Sequence, residues 1–89
     1  MPITTMNKLP LRYGILMAGA GRVFWRSSHT TIERARSRIR EDLRSGAFTS
    51  WSWTIVELRV PGASPDYFAP IPAHDVIEGP YTAANPPAK

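Results

Sequence analysis

Cysteine is missing from this chain of 89 residues. Its absence excludes disulfides, thiolate nucleophiles and cysteine-ligated zinc, and it fits a reducing cytosol. Histidine is scarce: His29 and His74 stand far apart and give no metal-ligand spacing. No metal or cofactor is therefore expected. Lysine is nearly absent too, with Lys8 and Lys89 the exceptions among eleven cationic side chains. Arginine carries the positive charge, and arginine grips carboxylates and phosphates bidentately. No apolar run approaches the roughly 18 residues of a membrane span, so no membrane contact is expected. Tyr13–Ala20 follows Lys8 and Arg12 in the manner of a signal peptide. Cleavage there would delete a core strand, which argues for a cytoplasmic protein instead.

What remains is the composition of one small globular domain. Hydrophobic residues make up 43% and aromatics 10%, enough to fill a core. A chain of this length is marginally stable alone, so a partner or a homodimer is a reasonable expectation. Net charge is +4, unevenly spread: residues 1–60 hold ten Lys/Arg against four acids, residues 61–89 one against three. A basic body with an acidic tail implies an anionic partner or a tail folded back on the body.

The periodicities predict strand, strand, helix, strand. Leu11–Ala18 alternates as a strand, with Tyr13, Ile15 and Met17 on one face. Gly19-Ala20-Gly21 supplies a turn, and Arg22–Ser27 follows as the second arm of a hairpin. The spacing then predicts a helix over 30–46. Thr30 and Glu33 form a capping-box pattern, and Ile32, Ala35, Ile39 and Leu43 make one apolar stripe. Arg44 and Gly46 mark its end. Trp51–Val60 alternates as a third strand that stops at Pro61-Gly62. The expected fold is α+β, a ββαβ body over 1–60. Its three-stranded sheet, mixed or antiparallel, carries the helix on one face. A strand–helix–strand crossover would set Arg22–Ser27 and Trp51–Val60 parallel. Residues 61–89 hold seven of the nine prolines and read as an extended strap. Tyr67, Phe68, Ile71, Val76, Ile77 and Tyr81 would pack on the body, with the last residues loose.

The candidate chemistry is concentrated in the helix. Arg36, Arg40 and Arg44 form one ridge beside the apolar stripe, and Arg34 and Arg38 form another. Glu33, Glu41 and Asp42 cannot neutralise all five, so the Arg36–Arg40–Arg44 ridge is the expected contact for an acidic protein surface or phosphates. Arg22 and Arg26 interleave with Phe24 and Trp25, and Trp51 and Trp53 add rings for stacking or for the core. The Gly19-Ala20-Gly21 stretch lacks the third glycine and the following helix of a dinucleotide loop. Ser27, Ser28 and His29 match a nucleophile and base in composition alone, so no catalytic residue is expected.

Two resemblances follow from these residues. The hairpin–helix–strand order, with Thr30-Thr31-Ile32-Glu33-Arg34-Ala35 opening the helix, resembles the small HicB-type antitoxin domain over residues 11–60. It lacks that family's acidic, glycine-cysteine hairpin end. In overall style the chain is similar to phage-encoded anti-CRISPR proteins: short, single-domain, with a sheet, one helix and an irregular tail. That resemblance implies a non-enzymatic inhibitor that occludes a bacterial defence complex in the host cytoplasm. A basic nucleic-acid-binding module or a HicB-like antitoxin is the alternative.

Overall fold

The computed structural model describes residues 10–46, 49–62 and 70–87. Tyr67 and Phe68 of the expected strap, and the last two residues of the chain, lie outside them. Four strands and one helix follow in the order β1 (Tyr13–Gly19), β2 (Arg22–His29), α1 (Ile32–Ser45), β3 (Ser52–Leu58) and β4 (His74–Tyr81). The sheet is antiparallel throughout, in the order β2-β1-β3-β4. The fold is thus α+β with one helix, as expected, but the sheet has four strands rather than three. The tail supplies the fourth as a hydrogen-bonded strand, so its described part from His74 to Tyr81 is not a strap laid across the body. β2 and β3 do run parallel, yet β1 lies between them and pairs with both.

Local chemistry explains most of these elements. The β1–β2 hairpin turns through Ala20 and Gly21, both at positive φ (51° and 75°). That pair of angles matches the right-handed twist of the arms. The helix starts one residue later than the capping pattern predicts. Thr31 is the N-cap, its Oγ1 accepting from the Arg34 N–H at 3.1 Å. Glu33 therefore sits in the first turn and meets Arg36 at 3.4 Å instead of closing a capping box. Gly46 ends the helix at φ 74°, donating its N–H to the Leu43 carbonyl.

The core lies between α1 and one face of the sheet. Ile15 and Met17 of β1, Trp53 and Ile55 of β3, and Ala35 and Ile39 of α1 are its buried members. Phe24, Ile32, Leu43, Trp51 and Tyr81 pack around them. On the opposite face the Trp25 ring packs against Gly14, where any Cβ would fall inside the indole. Its N–H donates to Ser28 Oγ at 2.7 Å, and its ring meets His74 edge-on at 6.5 Å. Val56 and Leu58 are buried on this side, while Val23 (57% exposed) and Val76 (64%) are open.

Bulges decide which side chains face the helix. Ile15 pairs with Ser27 but Leu16 with Trp25, so Arg26 is an extra residue in β2 and can turn toward α1. In β4 the register slips twice, around Ile77 and around Gly79-Pro80, the latter a cis peptide. Glu78 and Tyr81, three apart, consequently share the helix side. Gly79 has φ 112°, and a Cβ there would approach the Trp53 carbonyl oxygen at 2.9 Å.

Candidate functional site

By helical spacing α1 has two charged flanks, one toward β4 and one toward β2. On the β4 flank, Arg36 makes a bidentate pair with Glu78, Nε to Oε1 at 2.7 Å and Nη2 to Oε2 at 2.8 Å. Tyr81 donates its hydroxyl proton to the same carboxylate at 2.8 Å. These bonds from Arg36 hold Glu78 below its usual pKa, against a smaller opposing push from burial. Arg40 donates to Ser37 Oγ at 3.2 Å, and Arg44 stays exposed in the last turn. Arg59 clamps Asp75 where β3 leads into the tail, at 2.8 Å. Two of the tail's acids are thus spent on the body. Arg36, the first member of the expected contact ridge Arg36–Arg40–Arg44, is therefore occupied within the fold.

The β2 flank is built differently. Asp42 is 5% exposed and takes both prongs of Arg26, at 2.9 and 3.0 Å, plus the Trp53 indole N–H at 3.1 Å. Burial pushes the Asp42 carboxyl up, but these bonds and the charge of Arg38 outweigh it and leave its pKa lowered. Trp53 is wholly buried and offers no ring to a partner. With Asp42 committed, Arg38 reaches it only at 4.0 Å and Glu41 at 3.5 Å. The Arg38 Nε is buried without a hydrogen-bond partner. An unmade bond of that kind costs about 1–3 kcal/mol. Arg34 is exposed and has no ion-pair partner among the described residues.

Around these two arginines lies a cleft of about 310 Å³, lined by His29, Arg34, Ser37, Arg38 and Glu41. His29 is half-buried, and its Nε2 is 2.7 Å from Ser27 Oγ. Burial, then Arg38, then Arg34 lower its pKa, so the ring is neutral at pH 7. Structure therefore brings Ser27 and His29 together, which their composition only suggested. Among the described residues the charges acting on the ring are these arginines, which weaken it as a base.

At the other end of β2 a second cleft of about 380 Å³ is lined by Arg22, Val23, Phe24 and Trp51. Phe24 and Trp51 meet edge-to-face with centroids 5.6 Å apart. Trp51 also rests on Gly19, where any Cβ would strike its ring. The two clefts bracket β2, whose outer edge has no strand partner among the described residues. Seven residue steps of about 3.3 Å separate Arg22 from His29.

Of the nine residues expected to bind, four line these clefts: Arg22, Trp51, Arg34 and Arg38. Arg26, Arg36 and Trp53 are built into the fold, and Arg40 and Arg44 lie on the other flank. Of the other lining residues, Phe24 was marked in the sequence by its place beside Arg22, and His29 by its place near Ser27, though neither was expected to bind. Ser37, Glu41 and Val23 were not foreseen, and the signal for Ser37 was its place between Arg34 and Arg38. Among the described residues no group of three His, Asp or Glu side chains is placed to hold a metal ion. No helix among them is long and apolar enough to cross a membrane. Comparison with protein-family models, with curated proteins and with solved structures returned no match.

Proposed function

We propose that this chain is a non-enzymatic protein-binding module that docks an acidic partner along its β2 side. The observation carrying this reading is the charge left over once internal pairs are formed. Arg34 has no ion-pair partner among the described residues. Arg38 has one exposed acid, Glu41, at 3.5 Å and shares the occupied Asp42 at 4.0 Å, and Arg22 is exposed at the far end of the same strand. Arginine contacts at such a rim set approach rate and orientation, while the cleft lined by Val23, Phe24 and Trp51 can seat an apolar side chain. A phage-derived inhibitor that occludes a bacterial defence complex would act in this way, by covering an acidic functional surface. A nucleic-acid module is second. Base stacking needs open ring faces, and here Trp53 is enclosed while Phe24 and Trp51 pack on each other.

The test is a titration of the full chain with polyglutamate and with random DNA at physiological salt. Polyglutamate binding that Arg34→Glu/Arg38→Glu abolishes and Arg44→Glu leaves in place supports the β2-side reading. DNA binding with a steep salt slope, and none to polyglutamate, favours the second. The anti-defence version is checked by phage plaquing on a CRISPR-armed host that expresses the chain. Plaquing that stays suppressed against every system tried removes that version.

A further inference from the structure

We propose that the cleft between the end of β2 and α1 binds a phosphoryl dianion, held by Arg34 and Arg38 with Ser37 and His29 as further donors. This deepens the β2-side docking reading, on which it rests, by naming the group the partner presents there.

Five observations converge. Arg34 and Arg38 stand one helical turn apart and line the same 310 Å³ cleft. Arg34 has no acidic partner among the described residues, so a positive charge faces the opening unneutralised. Arg38 already has two carboxylates near it, Glu41 at 3.5 Å from Nη1 and Asp42 at 4.0 Å from Nε, yet the buried Nε makes no hydrogen bond. One more flat carboxylate repeats what Glu41 supplies. A phosphoryl group brings three acceptor oxygens and nearly two charges, and can serve several donors at once. The Ser37 hydroxyl and the His29 ring complete a mixed donor set on the cleft wall. The Asp42 carboxylate, which could have quenched this site, is held by Arg26 and Trp53 on the inner side.

The experiment titrates inorganic phosphate into the full chain at constant ionic strength, following the arginine Nε–H and His29 ring signals by NMR. Saturable shifts at Arg38 Nε and His29 are expected. Arg34→Gln/Arg38→Gln should weaken binding at least about tenfold, the loss of two charge-assisted contacts. Arg34→Gln alone removes an exposed side chain, keeps the fold, and should weaken binding measurably. Arg44→Gln should change nothing. An acidic peptide carrying phosphoserine, compared with its serine form, then reports the source. Tighter binding of the phosphopeptide than of inorganic phosphate places the group on a protein, and equal binding points to a small phosphate ester. Shifts that never saturate, that acetate reproduces, or that survive the double variant overturn the proposal. Polyglutamate binding without a phosphate response overturns it while sparing the docking reading. A phosphate response without polyglutamate binding does the reverse.

Discussion

The two flanks of α1 begin with similar residues and end in opposite electrostatic states. Arg36 faces β4, where a bulge aims Glu78 at it and the pair closes bidentately. Arg38 faces β2, where Asp42, 4.0 Å away, is already taken by a bulged arginine of that strand and the exposed Glu41 at 3.5 Å is the acid that remains. The difference teaches that a helix's residual charge is set by what lies across from it, not by its own composition. Each flank uses one strand irregularity. In β4 it delivers an acid to the helix, and in β2 it delivers a second cation.

The comparison breaks most sharply at Asp42. Asp42→Ala leaves the Arg26 guanidinium and the Trp53 N–H without their acceptor inside the fold. Losing such a buried partner should cost about 3 kcal/mol, read by urea unfolding. Glu78→Gln on the other flank should cost distinctly less, because the Glu78 side chain is 21% exposed against 6% for Asp42. Equal losses would show that the flanks are not different in kind. Next in size is Gly14→Ala, which pushes the Trp25 ring off the sheet and should cost about 1–3 kcal/mol by overpacking. A neutral result in thermal unfolding would mean that the ring is not held there.

Acid titration gives a smaller and more graded separation. Asp42 and Glu78 have folded pKa values below their unfolded ones, so their stabilisation is present above about pH 4 and lost as pH falls through the depressed values. His29 is lowered as well. The unfolded chain binds that proton first, so stability should also decline as pH falls below about 6.5. Melting temperature against pH should show a shallow upper step and a steeper lower one. His29→Gln should erase the upper step alone. A shallow step that persists in that variant would assign it to another group.

Much of the body was legible because its signals are local. The stripe Ile32–Ala35–Ile39–Leu43 and the terminal Gly46 mark the helix, and the glycines after Ala18 mark the hairpin. The start of the helix slipped by one because Thr30 and Thr31 are equally able to cap. β4 was not legible as a strand, since His74–Tyr81 carries two bulges that destroy the period of two, and Gly79-Pro80 reads as a turn. The Arg36–Glu78 pair spans 42 residues, so nothing local announces it. The acidity of the tail and its spaced apolar residues hinted that it would fold back, but not where. The charge left on Arg38 depends on Asp42 being occupied by Arg26, which follows from a bulge that no periodicity reveals.

The irregular course of β4 has a further consequence for assembly. A sheet grows without limit only when both of its outer strands can accept another. β4 offers a broken ladder, with a glycine and a proline within it and the register displaced at two points. The β2 side is the straighter of the two, with one displacement. Strand-to-strand association would then stop after a single pairing across β2, capped outward by two β4 strands. A closed twosome is the largest object such pairing can build, and this geometry disfavours an open fibre.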